Sequence, residues 1–100
     1  MTGQHQQNME RYILESNRHF IAENVIFECI KASLISTQLI TIHQKSYIED
    51  HKGYYNQANA LITELLKSDL SITFPIFLQV LRDNGSPHIA KKLTSTSLEK

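Results

Sequence analysis

Apolar residues along this chain fall at spacings of three, four and seven, the repeat of one helix face, and the strict alternation of a half-buried strand is hard to find. Met9, Ile13, Leu14, Phe20, Ile21 and Val25 follow this rule, predicting a first helix over about residues 7–24. A kink is expected near Ser16-Asn17, because both side chains compete for nearby backbone groups. A second helix over about 26–36 is expected to bury Ile26, Cys29, Ile30, Ser33 and Leu34. Thr41-Ile42-His43-Gln44 reads as a capping box, with the Thr hydroxyl accepting from the Gln44 amide and the Gln44 side chain reaching back. It starts a short third helix through about Asp50, presenting Ile42, Tyr47 and Ile48 inward.

Lys52-Gly53 breaks the chain, and a fourth helix runs from about Tyr54 to Lys67 with Ala58, Leu61, Ile62, Leu65 and Leu66 as its stripe. Ser68-Asp69-Leu70-Ser71 reads as a turn. The fifth helix then begins near Thr73, with Pro75 in its first turn and Phe74, Phe77, Leu78 and Leu81 buried. Gly85 stops it, since glycine reaches the left-handed region without a Cβ clash. Ser86-Pro87 restarts a stub over about 87–94, Ser86 as N-cap and Pro87 in the first turn. Residues 95–100 read as a frayed tail or the start of a linker, which leaves residues 1–94 as one domain. Six short helices with brief connections predict an all-α antiparallel bundle around one core.

Composition narrows the function. The chain has 100 residues, of which 41% are hydrophobic, enough for one modest core. Ten basic residues balance ten acidic ones, giving a formal net charge of zero. A nucleic-acid binder of this size normally carries a basic excess, so no nucleic-acid partner is expected. A helix-turn-helix around Gly85 would offer only Arg82, His88, Lys91 and Lys92 to phosphates, with Asp83 intruding. No apolar run approaches the roughly 20 residues of a membrane span, and the polar start does not have the form of a signal peptide. The lone Cys29 closes no internal disulfide and suits a reducing, cytoplasmic compartment.

Candidate chemistry is sparse. His5, His19, His43, His51 and His88 are scattered without metal-ligand spacing, so no metal site is expected and each reads as a surface or boundary residue. Cys29 reads as a small buried residue without the surroundings of a caspase nucleophile. Gly3, Gly53 and Gly85 form no phosphate-cradling loop. The chain is expected to be neither an enzyme nor a cofactor carrier.

Several segments together resemble a caspase recruitment domain of the death-fold superfamily. They are Ile13-Leu14-Glu15-Ser16-Asn17-Arg18-His19-Phe20-Ile21, then Leu39-Ile40-Thr41, then Asn56-Gln57-Ala58-Asn59-Ala60-Leu61-Ile62-Thr63-Glu64-Leu65-Leu66. Phe74, Phe77, Leu78 and Leu81 with the Gly85 break complete the set. The likeness spans about residues 9–94 and is nearest to initiator caspases, apoptosome scaffolds and nucleotide-binding innate-immune receptors. It implies a six-helix Greek-key bundle that binds a caspase or adaptor through that partner's own recruitment domain, or binds copies of itself, in apoptotic or innate-immune signalling. A stand-alone decoy of the same type is the alternative.

In many members a basic face on the first and fourth helices meets an acidic face on the second and third. Carried over by position, Arg18 is the basic residue of the first helix, and Glu28, Glu49 and Asp50 are the acidic set. This chain departs from the pattern where Tyr55 and Asn59 stand at positions of arginines, and where Lys31 and Lys45 interrupt the acidic face. Tyr54 and Tyr55 are therefore candidates to replace charge with aromatic contact. Arg82, beside Asp83 and His88 at the Gly85 corner, is a further candidate contact.

Overall fold

The computed structural model describes the backbone of residues 2–98 and the side chains of residues 9–95. Its elements are α1 (Thr2–Ser16), α2 (Arg18–Asn24), α3 (Phe27–Ser36), α4 (Ile42–Glu49), α5 (Tyr54–Leu66), α6 (Leu70–Asp83) and α7 (Pro87–Leu98), with no strand among the described residues. No helix among them is long and apolar enough to cross a membrane.

The first predicted helix is two. Asn17 leaves the helical region, with ψ at 13°, and its side-chain amide donates to the Ile13 carbonyl at 2.8 Å. The same carbonyl also accepts from the Asn17 backbone amide at 3.1 Å, so the side chain adds a second donor to it at the residue where the helix divides instead of merely bending. The break lets α1 lie against α6 and α7 while α2 packs against α5. α3 leans on α4, α5 and α6, and α4 on α5, so most neighbours are distant in sequence. Phe27, Phe77, Leu14, Ile21, Leu61 and Ile89 are among the fully buried side chains, drawn from six of the seven helices. The radius of gyration, 12.7 Å, is what a close-packed chain of about 100 residues gives, roughly 13 Å.

Helix ends follow their sequence signals. Thr41 and Gln44 form the capping box in full, at 3.1 Å and 2.8 Å. Gly85 has φ 85°, the Ser86 amide donates back to Leu81 at 2.8 Å, and the Gly85 amide to Arg82 at 3.4 Å. That is a Schellman closure of α6. On the far side the Ser86 carbonyl accepts from the Ile89 and Ala90 amides and opens α7.

Four expectations need correction. On α3, Ile30 and Leu34 are buried as expected, but Phe27 joins them while Ile26 and Cys29 are exposed and Ser33 is half-buried. Ile26 is the extended N-cap of α3, outside the helical repeat, and the larger Phe27 takes the inward position. In α4 only Ile48 is buried, because this helix of 8 residues touches the bundle along one edge; Ile42 and Tyr47 face out. α6 starts at Leu70 rather than near Thr73, since the Asp69 carboxylate caps it by accepting from the Ser71 amide at 3.2 Å. Pro75 therefore lies inside the helix, on its exposed side, where water can serve the carbonyl left without an N–H donor. Finally, α7 continues to Leu98, so residues 95–98 extend a helix; residues 99–100 lie outside the described residues.

A second Schellman closure ends α3 with no glycine. Gln38 has φ 65°, its amide donates to Ile35 at 2.9 Å, and the Leu39 amide to Leu34 at 2.9 Å. Leu39 and Leu34 are both buried, the apolar contact this motif favours. A side chain in the left-handed region costs about 1–2 kcal/mol. Replacing Gln38 by Gly is expected to stabilise the fold by about 1 kcal/mol net of backbone entropy, raising Tm by about 4–8 °C in a thermal melt.

Glu10 of α1 has one carboxylate oxygen buried without a hydrogen-bond partner. Burial, and then the Asp69 carboxylate, raise its pKa above the ordinary 4.5. A raised carboxyl pKa stabilises the fold only while the group is protonated, so this contribution is lost as pH rises through the folded value. Glu10→Gln should therefore raise Tm at pH 7, with the advantage shrinking as pH falls from the raised folded value towards 4.5 and gone below it.

Candidate functional site

Arg18 opens α2 and points across the bundle to α5. Its Nε donates to Asn59 Oδ1 at 2.6 Å, and one terminal nitrogen donates to the Asn59 carbonyl at 3.3 Å and to Thr63 Oγ1. Two of the residues singled out in the sequence are thus brought together, but as each other's partners. The guanidinium is half-buried and holds the α2–α5 packing, so its donors are largely spent inside the molecule.

The acidic set is similarly engaged. Lys31 Nζ bridges Glu28 and Glu49, at 2.7 Å each, and Lys45 adds a second contact to Glu49 at 3.1 Å. The lysines that interrupt the acidic face therefore neutralise it, and Lys31 ties α3 to α4. Hydrogen bonds from Lys31 and then Lys45 lower the Glu49 pKa, while those to Glu28 and then Glu49 raise that of Lys31. Asp50, the C-cap of α4, is exposed beside this network.

A further polar link joins α4 to α5. Gln44, already half of the capping box, donates through Nε2 to Glu64 Oε1 at 3.0 Å, and Lys67 meets the other Glu64 oxygen at 3.0 Å. Glu64 is 8% exposed, and the Gln44 bond, then the lysine, lower its pKa against the opposing effect of burial.

The two adjacent tyrosines have different surroundings. Tyr55 shares a hydrogen bond of 2.9 Å with His19 Nδ1, whose Nε2 lies 3.1 Å from Glu23, so it belongs to an α2–α5 surface chain. Tyr54, the first residue of α5, is 62% exposed. Arg82 is exposed in the last turn of α6, on a different element from the rest.

The residue pattern did not suggest one feature. Between α3 and α6 lies a cleft of about 370 Å³, walled by Ser33, Ser36 and Thr37 on one side and Pro75, Ile76 and Asp83 on the other. Its volume is at the low end of ligand-sized sites, roughly 300–1,000 Å³. The signal was present as the Ile72, Pro75, Ile76, Gln79 spacing, but with the helix expected only from near Thr73 Ile72 fell outside it. No known family model and no curated protein matches the chain.

Removing the Arg18 side chain leaves Asn59 Oδ1 without its donor in a half-buried site. Arg18→Ala should destabilise by about 1–3 kcal/mol in denaturant unfolding. Arg18→Lys should recover only part of this, because an ammonium cannot reproduce the forked contacts.

Proposed function

We propose that this chain is a cytoplasmic homotypic interaction module of the caspase-recruitment type, a six-segment Greek-key death fold. It recruits a caspase or adaptor through that partner's recruitment domain, or joins copies of itself. The observation that carries this reading is the packing order. With α1 and α2 counted as one broken segment, that segment lies against the fourth, fifth and sixth, and the second lies against the third, fourth and fifth. Neighbours in an up-and-down bundle would follow chain order instead. The resemblance along residues 9–94 supports the same plan.

The mechanism is proximity: docking concentrates tethered effector domains so that they meet. In this chain the charged version of the contact is weak, since Arg18 is held by α5 and Glu28 and Glu49 by lysines. Contacts fall instead to exposed groups such as Tyr54, Asp50 and Arg82.

Light scattering and analytical ultracentrifugation across protein concentration and salt test the proposal, together with titration against purified caspase and adaptor recruitment domains. Assembly that grows with concentration, or saturable binding to one of those domains, is expected. Because Arg18, Glu28 and Glu49 are engaged internally, raising salt from 50 to 500 mM should weaken it by no more than about tenfold. A chain that stays monomeric at its highest soluble concentration and binds none of the domains overturns the reading.

A further inference from the structure

The α3–α6 cleft has a defined chemistry. On the α3 wall, the Ser36 and Thr37 hydroxyls donate to the Ser33 carbonyl at 3.2 and 2.7 Å, and Ser33 Oγ accepts from Asn84 at 3.0 Å. These groups are satisfied locally, so the wall offers mainly hydrocarbon to an occupant. Pro75 and Ile76 do the same from α6, and Ile72, 61% exposed, lies one turn before them. The single charge in the lining is Asp83, one of whose oxygens accepts from Gln79 at 2.8 Å. An apolar body with a cation beside it is the complement of this site.

The chain carries such a group. Among the described residues the exposed large hydrophobic ones are Tyr12, Ile26, Ile42, Tyr47, Tyr54, Tyr55 and Ile72. Ile72 lies one turn before the cleft's own Pro75 and Ile76, Tyr47 stacks edge-on with His51, Tyr55 is held by His19, and Tyr12 has interactions of its own. Ile26 is the least exposed of the set, at 38%. Of the two that remain, Ile42 has as its nearby lysine Lys45, which is bound to Glu49. Tyr54 is two residues from Lys52, an exposed lysine that no carboxylate among the described residues approaches within ion-pair distance. Gly53 between them takes φ 87°, fixing the turn that presents both.

We propose that Tyr54 of one copy seats in the α3–α6 cleft of a second copy, with Lys52 against Asp83. This rests on the interaction-module reading and specifies its partner and its surfaces. The contact is heterologous in this proposal, so a pair keeps one unused cleft on one copy and one unused ring on the other; a reciprocal exchange of rings would instead close as a two-fold dimer. Addition continues head to tail until a ring closes or a filament extends. One aromatic side chain is a small footprint against the roughly 1,200–2,000 Å² of a stable interface, so assembly is concentration-dependent and gains from tethering.

The test uses Tyr54→Ala, which removes the ring, and Ser36→Trp, which fills the cleft from an exposed position, each checked for wild-type melting. Each variant alone should lose self-association by at least about thirtyfold in sedimentation equilibrium. A mixture of the two should form a dimer and stop there, since one intact ring and one intact cleft remain per pair. Lys52→Asp and Asp83→Lys should each weaken assembly about two- to fivefold, and the two together should restore it. Wild-type assembly that survives both Tyr54→Ala and Ser36→Trp overturns the docking while leaving the module reading intact. So does a wild-type chain that is monomeric yet binds another recruitment domain. A chain that neither assembles nor binds overturns both.

Discussion

The division of the first helix at Asn17 is the constraint on which the other packing arrangements rest. A continuous helix over residues 2–24 would present one straight apolar stripe, and one stripe cannot follow α5 and also lie against α6 and α7. Asn17 takes the Ile13 carbonyl with its side chain and leaves helical geometry, so the two halves are free to point differently. The next residue, Arg18, then secures the new direction by gripping Asn59 and Thr63 on α5. Breaker and clamp are adjacent in sequence, so the angle between α1 and α2 is set by local hydrogen bonds and then secured by a partner 41 residues away. Ile13 and Leu14 on one side of the break and Ile21 and Ala22 on the other can all reach the core for that reason.

How legible each part was depended on the distance over which its determinant acts. Asn17, the Thr41–Gln44 box and Gly85 act within about four residues; the box and Gly85 produce the element ends expected of them, and at Asn17 the expected kink is a full break. On α3 the pattern marks Ile30 and Leu34 correctly, but Ile26, Cys29 and Ser33 form as regular a stripe as Phe27, Ile30 and Leu34. Only the volume of Phe27 and the extended cap at Ile26 decide between them. In α4, Ile42 and Tyr47 satisfied the apolar pattern, but a short edge helix buries one row, and tertiary placement overrides the pattern. The left-handed Gln38 had no signal at all, since glycine is the usual mark of that closure.

For the candidate surface the position of the charges was legible and their use was not. Arg18, Glu28 and Glu49 sit on the expected helices, yet each is engaged by another residue of the same chain. Lys31, read as an interruption of an acidic face, ties α3 to α4, and Lys45 holds Glu49 within α4. The bundle thus uses these ionic groups for its own packing, in keeping with a net charge of zero. Gln44 shows the same economy, closing a cap with its oxygen and reaching the buried Glu64 with its nitrogen.

What is left for recognition follows from this internal use. Once Arg18, Lys31, Lys45, Glu28, Glu49 and Glu64 are committed, specificity has to come from shape and from the few groups that face out. The Gly53 turn illustrates how the fold supplies such a group. A Cβ at Gly53 would meet nothing within 4 Å, so glycine is required there by its φ of 87° alone and not by crowding. The turn's role is directional: it ends the α4 side of the bundle, starts α5, and places Lys52 and Tyr54 on the outside together. An alanine at that position would find ample space and still disturb the presentation of the ring, because the strain lies in the backbone that aims it. The same backbone economy that closes α6 at Gly85 therefore sets, at Gly53, what the bundle can show to a neighbour.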